Sequence, residues 1–579
     1  LESKKEPKSI KRLPLFSRSS VKTKKMKNLF LAACLLSSMN TFAQWTTNTL
    51  LNTDIKDSVG FEETTPLTAT TIDGRTWISY FSNYGGGYEM RLQLLDTLGN
   101  RLLGSNGMLV SNQPQSTALF RYDLKADASG NAIVAFQDIR SGGNMQVVAY
   151  KVDQLGNQLW GTNGIQLIDP IATEGIAPSI GFTNTGNVLI AWNSTGNNPK
   201  WVSLTKLDSL GNPLWPNTVR VIDSLSNKKY SRPTMVPCDA DGCIIQYVEE
   251  TGFGLGVSNI YAKRLDINGA SVWPAPVHVS TKTTSFFFFI KAIADGNGGY
   301  YTAFNTSDAS NPSLNDVYVQ HVDANGNLWN ATGNSACNTQ GINRFFANGK
   351  LDANGTGFWV LLKATDGNQS QSGVIVQSFN SQGNTLLSPA GSVMVPISPA
   401  YDDPYDLSIT SDGVIAFYYS GINPSQTIKA VKCDLSGAPM WQGASTDICT
   451  RVSGKDDLSA GAYSNGQVVV AWMDNRNDNG IYAQKINNDG SLGNPSVGEI
   501  ELSDMQLSIF PNPTADYLVL SQDADAPMNW MLTDVDGKTQ MGGMVAQQHQ
   551  IDLRSLPGGI YLLKMQRSET VYYKRIIKL

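Results

Sequence analysis

Chemistry in this chain has few of the usual parts to work with. Histidine occurs only three times in 579 residues, as His278, His321 and His549, far apart in sequence. A His-ligated zinc site or a Ser-His-Asp triad therefore has little material, and each histidine reads as an ordinary strand or surface residue. Carboxylate pairs are plentiful: Asp402 with Asp403, Asp456 with Asp457, Glu249 with Glu250. Sequence neighbours on a strand face opposite sides, which makes them poor acid/base pairs. A site drawn from several parts of the chain stays open.

Binding chemistry is better represented. Asp138-Ile-Arg140 and Asp474-Asn-Arg476 recur after similar strands. Such pairs can grip a carboxylate or a sugar, although a repeated Asp/Arg pair more often braces its own loop. Tyr84, Tyr88 and Phe253 are candidate aromatic contacts for a ligand. Asp239-Ala-Asp-Gly, Asp295-Gly-Asn-Gly and Asp352-Ala-Asn-Gly carry part of the oxygen spacing of a calcium loop but lack its closing Glu. They read as turns; no metal or cofactor is expected, with calcium the alternative. Five cysteines lie beyond Cys34. Cys238 and Cys243 flank one hairpin, where a disulfide is sterically allowed. Cys337 and Cys449, each eight residues past a tryptophan, read as packing residues.

The elements that must position these residues repeat. Asp127-Ala-Ser-Gly130 and Asp153-Gln-Leu-Gly156 place Asp first and Gly fourth in tight turns, between runs such as Val147 to Val152 that are β-prone and expected to alternate. The later turn returns at Gly99, Gly156, Gly211, Gly269, Gly326, Gly383, Gly437 and Gly490, in steps of 53 to 58 residues. That is the length of a four-stranded propeller blade with its loops. Tryptophan follows four residues later at 160, 215, 273 and 441, and three later at 329, with Leu103 and Leu387 substituting. The eighth copy has Asn494-Pro495 instead and lacks a fourth strand, whereas Trp45-Thr-Thr-Asn-Thr-Leu-Leu-Asn resembles an outer strand with none of its own. The expectation is all-β: an eight-bladed β-propeller, seven blades being the alternative, closed by the first residues of the mature chain and followed by a small β-sandwich.

The reading divides the chain into an upstream extension at 1–25, a signal peptide at 26–43 with cleavage after Ala43, a propeller at 44–494, a linker at 495–504 and a C-terminal domain at 505–579. A lipoprotein box around Cys34 is the weaker alternative, its apolar stretch being short. The formal charge is −5, of which residues 1–43 contribute +8, leaving −13 for the remainder. Nucleic acid is therefore not an expected partner, and no segment of the mature chain is apolar enough to span a membrane.

The tail carries specific motifs: Ile509-Phe-Pro-Asn-Pro513, Leu532-Thr-Asp-Val-Asp-Gly-Lys538, Ile551-Asp-Leu-Arg-Ser-Leu-Pro-Gly-Gly-Ile-Tyr561 and Lys574-Arg-Ile-Ile-Lys578. It resembles the type A C-terminal sorting domain of the type IX secretion system of Bacteroidota. The resemblance implies a β-sandwich, recognition by the outer-membrane translocon and a sorting peptidase, and attachment to surface lipopolysaccharide. Carried over by position, the signal residues are Pro511, Asn512, Pro513, Gly537, Gly558, Gly559, Tyr561, Lys574, Arg575 and Lys578. The blades loosely resemble secreted repeat proteins of that phylum, through Ala471-Trp-Met-Asp-Asn-Arg476 and Ile481-Tyr-Ala-Gln-Lys485. Ile72-Asp-Gly-Arg-Thr-Trp77 approaches the sialidase box with the wrong spacing. Four triplets, among them Asp96-Thr-Leu and Asp208-Ser-Leu, resemble that phylum's O-glycosylation sites.

Function is expected on the rim that carries the long, dissimilar connections, or in the channel, because variable loops on a rigid scaffold build binding sites. The leading reading is a secreted or cell-surface binding and adhesion propeller for a glycan or protein ligand, leaning against an enzyme. The alternative is an exported polysaccharide-degrading enzyme, which requires acidic and aromatic residues from several blades to converge. A passive surface protein is third.

Overall fold

The computed structural model describes residues 45–579, apart from 58–59, 84–86, 116–120, 141, 197–199, 222–227, 251–257, 285–289, 309–310, 312, 353–354, 356, 442–444, 494–506, 523–526, 535–537 and 568–569. The extension, signal peptide and linker thus lie outside the described residues, as do Tyr84, Phe253 and Gly537.

The turns form as their residues dictate. Asp153 Oδ1 accepts from the N–H groups of Leu155 (2.9 Å) and Asn157 (2.8 Å), and Gly156 donates to the Asp153 carbonyl at 3.0 Å. Gly156 has φ +88°, a conformation that a side chain would strain. Asp208 and Asp323 repeat the arrangement, and all eight recurring glycines have φ between +82° and +91°. The strands between them do not alternate in burial as expected. Ala132–Asp138 is buried at every position, because blades stack against both faces of their middle strands and leave neither to water.

Six sheets have four strands in sequence order. A seventh has seven strands, since the 15-residue strand Thr446–Ala460 pairs with Gln426–Asp434 through its first half and with Gln467–Asn475 through its second. It serves as outer strand of one unit and inner strand of the next, so the sheets resolve into eight four-stranded blades. Consecutive inner strands pack on one another from Glu62–Thr70 round to Thr446–Ala460, which packs back on Glu62–Thr70. The fold is an all-β propeller.

The last blade takes its outer strand from the beginning of the described chain: Thr53–Lys56 pairs antiparallel with Asn479–Asn487, Thr53 opposite Ala483. The strand starts later than its resemblance to the Trp160 segment implies. Residues 48–52 fold into a turn closed by Asn52 N–H on the Asn48 carbonyl at 3.1 Å, and only then does pairing begin. Trp45 lies earlier, buried against Gly99 of the first blade.

The C-terminal domain pairs a three-stranded sheet (Leu507–Phe510, Tyr517–Gln522, Gln548–Asp552) with a four-stranded one (Met528–Asp534, Thr539–Val545, Gly559–Arg567, Thr570–Lys578). Leu518, Leu520, Trp530, Leu532, Leu563 and Ile576 share its core, giving the expected sandwich.

Candidate functional site

The Asp/Arg pairs turn inward. Asp138 is fully buried and receives Arg140 Nε and Nη2, while Nη1 donates to the Asn163 carbonyl at 2.6 Å and Nη2 to the Tyr150 hydroxyl at 2.9 Å. Arg476 contacts Asp474 at 3.1 Å and donates to the Leu50 carbonyl (3.2 Å), the Leu51 carbonyl (2.6 Å) and Asn52 Oδ1 (2.7 Å). These side chains brace blades, and the second pair holds the closing segment. Tyr88 is half-buried, edge-on to Phe81 with centroids 6.3 Å apart; its ring is partly spent on packing.

Cys238 and Cys243 are two free buried thiols rather than a disulfide. They belong to different cores, Cys243 with Met235 and Ile245, Cys238 with Val236 and Ala292, so they face opposite sides of their sheet. Burial pushes the Cys238 thiol up to about 11. Cys337 and Cys449 pack in blade cores. The carboxylates of the calcium-like turns have protein partners: Asp241 pairs with Lys206, Asp239 with Arg264, and Asp295 with His321 at 2.7 Å. No group of three or more His, Cys, Asp or Glu converges on a point among the described residues. His278 stacks on Tyr261 and His549 leans on Trp530.

The chemically unusual residues lie on the inner strands. The strand register slips between Thr64 and Leu67, Ile176 and Ser179, Ser231 and Thr234, Pro404 and Asp406, and Asp456 and Ser459. Thr65, Ala177, Arg232 and Asp457 take φ of 51° to 53° at these bulges. A bulge re-aims a side chain, and non-glycine residues held in this region collect at functional sites. Here it also cancels the alternation that should separate Asp456 from Asp457. Burial first, and the Asp456 charge second, push the Asp457 carboxyl up to about 6, with Tyr405 from the preceding blade acting in the opposite direction.

Arg121, just before the inner strand Asp123–Ala126 of the second blade, acts electrostatically with Tyr405 of the seventh. It also acts on Arg232 of the fourth. Charges from non-adjacent blades can meet in this way only near the axis of the ring. Arg121 keeps an exposed surface there, yet the surrounding protein displaces enough water to pull its pKa down. The cluster Arg121, Arg232, Tyr405, Asp456 and Asp457 thus joins four blades. A carboxyl titrating near 6 beside a phenol, with guanidinium groups further along the same chain of interactions, can exchange hydrogen bonds with hydroxyls or move a proton near neutral pH. The signal that finds it is repeat alignment: six residues before the inner hairpin the chain has Thr65, Arg121, Ala177 and Arg232.

Of the residues that the sorting-domain resemblance marks, Asn512 is tied to the last strand. Asn512 Nδ2 donates to the Arg575 carbonyl at 2.7 Å, and its Oδ1 accepts from Ile577 N–H at 2.8 Å. Pro511 and Pro513 flank it, exposed. Gly558 and Gly559 open the strand that pairs with Lys574 and Lys578, and Tyr561 is buried, donating to the Pro557 carbonyl at 2.9 Å. No helix among the described residues is long and apolar enough to cross a membrane.

No curated protein matches the chain. Among solved structures it is similar to a polysaccharide lyase of family PL25, an ulvan lyase (10% identity, 80% of this chain and 99% of that one, TM-score 0.40). It is also similar to an α-L-arabinanase of Penicillium chrysogenum complexed with arabinobiose (12%, 56% and 96%, 0.34). A third is the polysaccharide lyase Uly1 (10%, 65% and 92%, 0.36). Residues 508–579 match the family model for the secretion system C-terminal sorting domain. The chain therefore ends in a type IX sorting domain, which directs it to the cell surface or the extracellular space.

Proposed function

We propose that this exported propeller is a surface binding and adhesion module that takes a saccharide at the channel cluster. The observation that carries the reading is the convergence of Arg121, Arg232, Tyr405, Asp456 and Asp457 from four blades. Sugar sites combine an aromatic face with a few charged groups that fix hydroxyls, and this cluster has both. A signal peptide at 26–43 and the tail take the chain through the type IX translocon of a Bacteroidota cell and its sorting peptidase. The test is a glycan array probed with the exported protein and with Tyr405→Ala. Binding that the substitution weakens at least tenfold supports the reading; indifference to it, or an empty array, removes it.

One observation favours the enzyme reading as well: Asp457 and Tyr405 form the acidic and aromatic convergence that it requires. Release of reducing ends from a polysaccharide, with a pH profile breaking near 6 and lost in Asp457→Asn, would decide for it. Purified protein that releases none from any polysaccharide bound on the array would decide against.

A further inference from the structure

We propose that the channel holds an oxyanion, a carboxylate or sulfate on the saccharide of the preceding reading, at the ammonium of Lys291 with Lys350 and Lys125 beside it. The inference rests on that reading for the carrier of the anion, but the anion site itself stands on separate residues.

The inner strands of blades two, three, seven and eight carry an acceptor at one repeat position, four residues before the first hairpin, where the first blade has Leu67. Asp123 accepts from Ile180 N–H at 2.8 Å, Ser179 from Met235 N–H at 3.3 Å, Asp406 from Ala460 N–H at 2.8 Å and Ser459 from Thr68 N–H at 3.0 Å. Each caps a backbone donor of the next blade, so these side chains zip the inner ring. In the fifth blade that position is Lys291, within Ile290–Ala294. An ammonium can only donate and cannot do the capping work.

Among the described residues only the through-space charges of Asp406 and Asp123 offset that of Lys291. It is half-buried, yet makes no hydrogen bond or ion pair among the described residues. The charges that act on it are Asp406, Lys350, Lys125 and Asp123, drawn from blades seven, six and two, which places its head near the axis. Both carboxylates are already committed. Asp406 Oδ1 takes Asn348 Nδ2 at 2.5 Å and Leu407 N–H at 2.7 Å, with Lys350 at 3.5 Å, and Asp123 Oδ1 takes Leu124 N–H at 2.9 Å, with Lys125 at 3.6 Å. Three ammonium groups thus face two carboxylates that the ring itself uses. A part-buried cation without a counter-ion is unfavourable. The excess is local, because the chain beyond residue 43 carries −13, the formal −5 less the +8 of residues 1–43. In an acidic protein a local excess of ammonium groups such as this one favours an anion at that point of the lumen.

The experiment is affinity electrophoresis of the full exported protein in gels containing neutral dextran, polygalacturonate or dextran sulfate. Thermal stability is measured in parallel in inorganic sulfate against sodium chloride of equal ionic strength. Retardation by one or both polyanions, and a sulfate-specific rise in melting temperature, are expected. Lys291→Met should weaken the retardation about tenfold and abolish the sulfate effect without lowering the melting temperature in chloride, Lys291→Arg should retain both, and Lys200→Met, at an exposed position, should change neither. The carboxylate and sulfate gels tell the two anion sources apart. Retardation by neutral dextran alone, or polyanion binding indifferent to Lys291→Met, overturns the anion site and leaves saccharide binding standing. Sulfate stabilisation through Lys291 without retardation in any gel keeps the anion site and removes the saccharide. A Lys291→Met protein that melts lower in chloride overturns the proposal, since the lysine would then be structural.

Discussion

Gly99 lies flat on the indole of Trp45: a Cβ built on this glycine would stand 2.9 Å from Trp45 Cδ2. The same relationship runs round the ring, with Gly211 on Trp160, Gly269 on Trp215, Gly326 on Trp273, Gly383 on Trp329 and Gly490 on Trp441. Each tryptophan but Trp45 also donates its indole N–H to the carbonyl two residues before that glycine, as Trp215 does to Ile267 at 2.8 Å and Trp441 to Asn488 at 3.0 Å. The turn glycine of one blade is thus the docking floor for the tryptophan of the blade before it. Trp45 supplies to the first blade what the eighth blade lacks.

Trp45→Ala should therefore open the ring at its seam. Removing a buried tryptophan costs about 3 to 5 kcal/mol, and here the loss falls where no covalent neighbour supports the blade. A lower denaturant midpoint, with early protease cleavage near the last blade, is expected. Gly99→Ala should act in the same direction, since its added methyl meets the ring and its φ of +91° is strained for alanine.

The pH profile should carry the mark of Asp457. Its folded pKa of about 6 stands above the ordinary carboxylate value of 3.8, so the native state favours the proton. That contribution is complete below about 4 and is lost as pH rises through 6. Melting temperature of the wild-type should fall over this window relative to Asp457→Asn. Parallel curves would show that the carboxyl titrates normally.

Lys206 and Asp241 form a buried pair between two blades, side chains 1% and 9% exposed. Burial alone would raise the Asp241 pKa, but Lys206 and the hydroxyls of Thr183 and Thr185 bring it down to about 2. Its stabilisation is present above 3.8 and is lost as pH falls toward 2. Lys206→Met should cost about 3 to 5 kcal/mol at neutral pH by stranding the carboxylate. The double substitution with Asp241→Asn should recover much of this in a double-mutant cycle.

All five thiols should label with iodoacetamide in denaturant without reductant, and mass spectrometry counts them. In the native protein at pH 8 labelling should be slow, because the five are buried and their pKa values are raised, Cys337 to about 12. Three adducts in denaturant would mean that Cys238 and Cys243 are bridged after all.

Asn512 ties the Pro511-Asn512-Pro513 turn to the last strand through two hydrogen bonds. Asn512→Ala should lower the stability of the sorting domain by about 1 to 3 kcal/mol. Cell fractionation should then show less protein outside the cell, with normal synthesis.

How much of this was legible beforehand follows from the range of the forces involved. The hairpins, the eight-fold period, the orphaned Trp45 segment and the sorting motifs could all be read from residue order, because Asp and Gly set a turn within four residues and a repeated turn sets a repeated blade. The roles of Arg140 and Arg476, the independence of Cys238 and Cys243, and the two-sided burial of strands such as Ala132–Asp138 depend on which surfaces the stacked blades cover. The channel cluster lay furthest from view. Asp457 gains its chemistry from a bulge that breaks strand alternation and from Tyr405 and Asp456 at its side, and Lys291 from charges on blades two, six and seven. Local sequence specified each blade almost completely, whereas only closure of the ring could bring residues hundreds of positions apart to one axis, where shared loss of water changes what they do.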